Sequence, residues 1–201
     1  MKTRVTLLIA LVLAWTVSTL HTPAMAEQQR PPQSTPEIKE SPRPSASGVS
    51  AAIAEEVRHR LVMMPYYGVF DWLEGEVQPD GTVTLRGEVT RPTTKSDAEA
   101  RVRKVEGVTR VVSEIEVLPI SPTDDAIRVA MYRALFNYDS PLFRYATRAV
   151  PPIHIIVNNG RVTLKGYVAS QMDKQIAYTY ARGVSGVFEV KDELMVDKDN
   201  Y

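Results

Sequence analysis

One stretch of the chain combines positive charge with aromatic rings. Its members are Arg133, Phe136, Phe143, Arg144, Tyr145 and Arg148. Arginine side chains attract anionic lipid headgroups, and aromatic rings settle at the boundary between headgroups and acyl chains. These residues are therefore a candidate contact with an anionic membrane surface. An ordinary amphipathic helix face has the same composition, and the sequence gives both interpretations equal weight.

The local pattern predicts that part of this stretch forms a short helix. Ser140 is followed by Pro141, and proline is favoured at the first position of a helix. Arg144 and Arg148 are four residues apart, so a helix that reaches Arg148 places both guanidinium groups on one face.

The rest of the chain offers few groups for covalent or metal chemistry. It contains no cysteine, which excludes thiolate catalysis and disulfides. No serine stands in a G-x-S-x-G turn, and the phosphate-loop pattern is absent. His59 lies among charged residues, while His154 alternates with Ile153 and Ile155 toward the predicted solvent face of a strand. We therefore expect no cofactor, no metal and no enzymatic activity.

A repeated strand pattern organises the chain. Residues 81–89, GTVTLRGEV, return 79 positions later as residues 160–168, GRVTLKGYV. Apolar and polar residues alternate in both copies, which predicts a half-buried strand. The Asp-Gly and Asn-Gly pairs that precede them predict hairpin turns. Gly87 and Gly166 fall on the inward face, which indicates a bulge or a closely approaching helix.

The repeat extends beyond the strand in both directions. The offset of 79 holds through the following helix and strand, whereas upstream it falls to 74. The second unit therefore carries five extra residues, and they fall where the arginines and aromatics are concentrated. Recurrent glycines mark the turns and strands of both units. They are Gly81, Gly87, Gly107, Gly160, Gly166 and Gly186.

Each unit runs in the order helix, V-x-x-G-x-V-x-L-x-G-x-V, helix, G-V-x-x-V-x-x-x-[LI]-x-V. This order resembles the BON domain (bacterial OsmY and nodulation), here in two tandem copies at 50–118 and 123–201 with a link at 119–122. The resemblance implies an α+β fold of two α-β-β-α-β domains. Each domain is expected to have a three-stranded mixed sheet with its helices on one face.

The resemblance also implies a function, because the pattern is similar to osmotically inducible periplasmic BON proteins. It implies a non-catalytic periplasmic or envelope protein that binds anionic phospholipid and supports envelope integrity under stress. The alternative is a periplasmic chaperone or protein-binding scaffold that uses exposed aromatics and sheet edges. The expected partner is thus an anionic phospholipid surface or an envelope protein.

The amino terminus predicts export. Residues 1–26 combine a basic start, an apolar run and an A-x-A triplet ending at Ala26, which is typical of a secretory signal peptide. An uncleaved membrane anchor is the alternative. Cleavage near Ala26 would leave a periplasmic or secreted protein. Residues 27–49 contain five prolines and few large apolar residues, which predicts a disordered linker.

Charge argues against nucleic acid as a partner. Residues 1–26 hold two of the 24 basic residues and none of the 24 acidic ones, so the remainder has a net charge of −2. A nucleic-acid-binding domain would be strongly basic. Any anionic surface must therefore be met by a local patch.

A second aromatic cluster stands before the first hairpin. Tyr66, Tyr67, Phe70 and Trp72 fall within seven residues. They could form an exposed contact patch for lipid or protein, or a hydrophobic cap that closes a small core. We favour the cap, because a domain of about 70 residues is short of buried apolar surface.

Overall fold

The computed structural model describes residues 46–197, and for 46 and 47 it describes the backbone alone. The predicted signal peptide, 1–26, lies outside the described residues, as does most of the predicted linker. The last four residues of that linker, 46–49, are helical. None of the described helices is long and apolar enough to cross a membrane.

The described chain passes through the same order of elements twice, with one short extra helix in the second pass. Domain 1 contains α1 (Ala46–Val62), β1 (Trp72–Val77), β2 (Thr82–Val89), α2 (Pro92–Val102) and β3 (Arg110–Val117). Domain 2 contains α3 (Pro122–Leu135), α4 (Phe143–Ala146), β4 (Ile153–Asn158), β5 (Arg161–Val168), α5 (Gln171–Arg182) and β6 (Glu189–Val196).

Each domain builds one three-stranded mixed sheet around the repeated strand. The strand orders are β1-β2-β3 and β4-β5-β6. The first two strands of each sheet are antiparallel, and the third is parallel to the central one. The predicted α+β fold of two α-β-β-α-β units is therefore confirmed.

The helices cover one face of each sheet because their apolar stripes match the inward positions of the strands. In domain 1, Val57 of α1 and Ala98 of α2 are buried with Val83 and Leu85 of β2. In domain 2, Met131 of α3, Ala177 of α5 and the inward side chains of β4 and β5 share one core. The period-two pattern of the central strands thus decides which face the helices cover.

Each domain also packs one apolar residue against the core of the other. Val69, from the connection between α1 and β1, is buried in the core of domain 2, whereas Val150, from the connection between α4 and β4, packs against the core of domain 1. The Val69 carbonyl accepts a hydrogen bond of 2.7 Å from the Ile155 N–H of β4. Lys165 of β5 forms a 3.0 Å ion pair with Glu88 of β2. We call this region the domain joint.

The glycines of the repeat have an unusual backbone conformation. All six named above have positive φ values. At Gly166, φ is +110° and an added Cβ would lie 1.9 Å from the Pro152 carbonyl oxygen. Gly87 has φ of +129° and the same close approach to the Trp72 carbonyl. The contact that requires glycine is therefore with the backbone at the start of the neighbouring edge strand, at Trp72 in β1 and at Pro152 directly before β4. The alternative of a closely approaching helix is wrong.

We expect Gly166→Ala and Gly87→Ala each to lower the free energy of unfolding by at least about 1–3 kcal/mol, because the backbone must leave a strained φ and move away from a carbonyl. Urea denaturation measures the change. Gly68→Ala is the matched control, since its added Cβ meets nothing within 4 Å. Equal stability of all three variants would refute this account of the strand.

Candidate functional site

The stretch from α3 to β4 holds most of the predicted membrane contact. The predicted helix from Ser140 to Arg148 is wrong in extent, because α4 spans only Phe143–Ala146. Ser140 instead forms a turn in which its hydroxyl oxygen accepts a 3.1 Å hydrogen bond from the Leu142 N–H. Arg148 lies beyond α4, so it does not share a helical face with Arg144. The prolines at 151 and 152 have no N–H groups to continue a helix.

Two of the six candidate residues are in the interior. Phe136 and Tyr145 are buried in the core of domain 2, so their assignment to a membrane-contacting surface is wrong. The reason is physical: the insertion must itself be anchored, and Leu142 and Tyr145 supply the anchor. A sequence pattern of alternating cations and rings does not reveal which rings point inward.

The Tyr145 hydroxyl organises a buried polar network. It accepts a 2.8 Å hydrogen bond from the Ala169 N–H and donates a 3.0 Å hydrogen bond to Asp173 Oδ2. Ser170 also donates to Asp173 at 2.7 Å, and its hydroxyl oxygen caps α5 by accepting from the Asp173 N–H. The network joins the insertion to the start of α5.

Arg144 belongs partly to this network. Its Nη2 lies 2.5 Å from Asp173 Oδ2, and its guanidinium lies 5.0 Å from the centroid of the Tyr145 ring. The hydrogen bond with the Tyr145 hydroxyl is the main cause that raises the pKa of Arg144, and the charge of Asp173 adds to it. The side chain remains 57% exposed, so it presents positive charge while it holds the insertion in place.

The exposed part of the stretch contains a residue that sequence reasoning missed. Tyr138 is 85% exposed, and its ring lies 5.2 Å from the ring of half-buried Phe143. Its position in the second unit's longer connection was the available signal. The same connection exposes the acidic Asp139. We define the insertion surface by the accessible arginine and aromatic side chains from Arg133 to the start of β4. They are Arg133, Tyr138, Phe143, Arg144 and Arg148.

The aromatic cluster before β1 has a different role. Tyr67 and Trp72 are buried, while Tyr66 is exposed. The favoured interpretation as a hydrophobic cap therefore agrees with the burial of the first two, but this cap closes the domain joint as well as one core. Trp72 packs with Leu118 and with Ile156 of β4.

His154 lies in the same joint, and its predicted position on a solvent face is wrong. It is 4% exposed, with ring centroids 5.4 Å from Tyr67 and 5.0 Å from Trp72. Domain 1 covers this face of β4, which a single-domain pattern cannot show. Burial lowers the pKa of His154 to about 4, although hydrogen bonds with the backbone of Asp71 and Gly68 oppose the shift. The imidazole is therefore neutral at pH 7.

A groove of about 260 Å³ also opens between the domains. Glu88 and Glu116 line it from domain 1, and Asn158, Arg161 and Thr163 line it from domain 2. Glu88 is already paired with Lys165, and Arg161 Nε lies 3.5 Å from Glu189 Oε2. Between residues 46 and 197, no three His, Asp or Glu side chains are grouped to hold a metal ion.

Comparisons with known proteins identify a domain family. A family model described as BON domain matches residues 50–119 and 124–198. No curated protein matches the chain. Two solved structures of CdsD, a structural protein of the type III secretion system of Chlamydia trachomatis, are similar. The C-terminal domain is 12% identical, with 71% of this chain and 96% of that chain covered and a TM-score of 0.27. The other has 15% identity, coverages of 74% and 95%, and a TM-score of 0.28. Likenesses this distant carry no argument about function.

We expect Tyr145→Phe to lower the free energy of unfolding by about 1–3 kcal/mol, because the Ala169 N–H loses its acceptor and Asp173 loses a donor. Tyr138→Phe removes the same atom from an exposed ring and should change stability by less than about 0.5 kcal/mol. Urea denaturation of both variants gives the comparison. An equal loss in the two would contradict the buried network.

The pH dependence of stability should report His154. Its pKa in the folded protein is about 4, below the ordinary value of 6.5, so the unfolded chain binds more protons between these values. The contribution of His154 to the free energy of unfolding is therefore fully present above about pH 6.5 and declines as the pH falls toward 4. Between pH 7 and 4.5 the free energy of unfolding of the wild type should fall by about 2–3 kcal/mol more than that of His154→Gln.

His59→Gln is the control for that measurement, because His59 is exposed on α1. It should keep the pH dependence of the wild type. Denaturant titrations at several pH values measure all three proteins. Parallel curves for wild type and His154→Gln would show that the imidazole is not desolvated in the joint.

Proposed function

The chain belongs to the BON domain family, known from envelope and periplasmic proteins, and on this premise we propose that it is a non-catalytic envelope protein that binds anionic phospholipid through domain 2. The proposal places it in the periplasm or outside the cell, after removal of residues 1–26. Its role there is to support envelope integrity under stress. The stress role and the location are supported by family resemblance and by the export pattern of the amino terminus.

The observation that carries the lipid proposal is the pair of Tyr138 and Phe143. An aromatic ring as exposed as that of Tyr138 contributes little to the core, yet it is held against a second ring. Aromatic side chains with one apolar and one wet side are favoured at the level of lipid headgroups. The insertion thus presents a small apolar element on a rigid support.

Positive charge surrounds this pair in the sequence. Arg133 and Arg148 are exposed, and Arg144 keeps more than half of its side chain in solvent. Each basic residue near an anionic leaflet contributes about 1 kcal/mol, and the contribution weakens with salt. Domain 1 exposes a comparable pair, in which the Arg91 guanidinium lies 5.7 Å from the centroid of the Tyr66 ring. That pair provides an internal control.

The second candidate function is a protein-binding scaffold or chaperone. It is favoured by one observation, the exposure of the second half of β1, where residues 74–76 are accessible. Lipid binding and protein binding would use different domains, so they can be tested separately.

Flotation with vesicles tests the lipid proposal. We expect the wild type to float with vesicles of phosphatidylcholine and phosphatidylglycerol at low salt, and to bind pure phosphatidylcholine poorly. Arg133→Glu with Arg148→Glu should reduce anionic binding at least tenfold, because two attractive charges become repulsive. Arg144 is left unchanged, since its reversal would place a second carboxylate beside Asp173.

The matched charge control is Arg103→Glu with Lys104→Glu, an equal change on exposed residues of domain 1. It should bind like the wild type. Tyr138→Ala should weaken binding with little salt dependence, whereas Tyr66→Ala should not weaken it. Thermal melts establish that each variant is folded. Absence of wild-type flotation, or an equal loss in the control, would refute binding through domain 2.

A further inference from the structure

The equivalent edge strands of the two domains differ in how completely they are covered. β4 is buried along almost its whole length, whereas β1 is exposed from Glu74 to Glu76. An edge strand presents every second N–H and C=O group away from its sheet. The register of each hairpin identifies these outward groups, so the two edges can be compared atom by atom.

In β4, outward groups are occupied. The Tyr167 N–H donates to the Pro152 carbonyl, so the alternation points the backbone of Ile153, Ile155 and Val157 outward. The Ile155 N–H donates to the carbonyl of Val69 at 2.7 Å. The Val157 carbonyl accepts a 2.6 Å hydrogen bond from Arg128 Nη2, a buried side chain of α3.

In β1, the corresponding groups are open. The Gln78 N–H donates to the Thr82 carbonyl at 2.8 Å, which points the backbone of Leu73, Gly75 and Val77 outward. Leu73 is hydrogen-bonded to Tyr67. Across the described residues, no hydrogen bond reaches the outward N–H or C=O groups of Gly75 and Val77.

The sequence explains the difference. At the helix offset of 74, the position of Arg128 is occupied in domain 1 by Ala54. Val77 and Val157 are equivalent, because they pair with the equivalent residues Val83 and Val162. Alanine has no group that could reach the Val77 carbonyl. One substitution between the repeats therefore removes the side chain that covers this edge.

The remaining two edges are also protected. Lys95 of α2 donates a 2.8 Å hydrogen bond to the Ile115 carbonyl of β3, and Lys174 of α5 donates to the Leu194 carbonyl of β6. A lysine across an edge discourages the addition of another strand. Within residues 46–197, no lysine or arginine donates a hydrogen bond to the carbonyls of Gly75 and Val77.

We propose that the free edge of β1 is a docking site for an extended basic segment of a partner protein, which adds to the sheet as a fourth strand. Strand addition satisfies the outward groups of Gly75 and Val77 through main-chain hydrogen bonds, and side chains at alternate positions supply specificity. The site lies in domain 1 and is independent of lipid binding by domain 2.

Charge identifies the kind of partner. Glu74 and Glu76 are exposed on the outer face, where they become cross-strand neighbours of an added strand. Glu74 accepts a hydrogen bond from Trp72 Nε1, and Glu76 shares the Arg86 guanidinium with Glu114, so one positive charge faces three carboxylates and this face stays negative. Residues 51–118 contain 9 Lys and Arg against 12 Asp and Glu. Antiparallel pairing of two copies of β1 about Gly75 would set Glu74 of one against Glu76 of the other. Like charges in that position are destabilising, so the partner is a basic segment of another protein.

Amide exchange measured by nuclear magnetic resonance tests the proposal on the full chain. The probe is a capped seven-residue peptide of alternating lysine and valine, with a glutamate and valine peptide as its counterpart. We expect saturating basic peptide to slow exchange of the Gly75 and Val77 N–H groups at least tenfold. The acidic peptide should leave both rates unchanged.

Ala54→Arg supplies domain 1 with the side chain that covers β4. It should weaken binding of the basic peptide at least tenfold, whereas Ala52→Arg, with the same charge at an exposed position of α1, should stay within twofold of wild type. Glu74→Lys with Glu76→Lys leaves the edge open and should transfer the preference to the acidic peptide. This second variant keeps the test valid if Ala54→Arg does not fold.

Three results would overturn the proposal. The first is unchanged exchange at Gly75 and Val77 in the presence of the basic peptide. The second is equal binding by the Ala52→Arg and Ala54→Arg variants. The third is slowed exchange without peptide that depends on protein concentration and accompanies a dimer in sedimentation, which would make a second copy the occupant.

Discussion

The structure depends on apolar contacts between the two domains, because neither domain buries enough apolar surface alone. A domain of about 70 residues buries too little apolar surface for comfortable stability. Here each domain lends an apolar residue to the other, Val69 in one direction and Val150 in the other. The same connection supplies the carbonyl that covers the edge of β4. Core formation, edge protection and domain contact are therefore one arrangement, and Trp72 and His154 are buried because of it.

The periodicity of the sequence was sufficient to predict the fold. Alternating residues in β2 and β5 determine the inward face, and the recurrence of the whole pattern at an offset of 79 identifies two equivalent units. These signals are local, and the structure preserves them because each sheet is built within one unit. The backbone at Gly87 and Gly166 follows from the same pattern, since glycine on an inward face marks a close approach of another chain segment.

The candidate site could be predicted only in part. The sequence shows arginine and aromatic residues concentrated around the longer connection of the second unit, but Phe136 and Tyr145 are buried in the core of domain 2. Whether a ring points inward depends on contacts with α5 and β4, which are distant in sequence. The predicted solvent-facing position of His154 is wrong for a related reason, because its neighbours Tyr67 and Trp72 belong to the other domain. Neither set of contacts has a local signature.

The exchange at the joint bears on how the protein can be divided. A cut in the link at 119–122 separates two units that the family pattern treats as complete. Each fragment would then carry an apolar side chain that has lost its partner core, and in domain 2 the Ile155 N–H of β4 would lose the Val69 carbonyl. Measurements on either fragment would therefore include the effect of a surface that is covered in the intact protein. The sequence repeat is a single domain, whereas the buried core is completed by the pair.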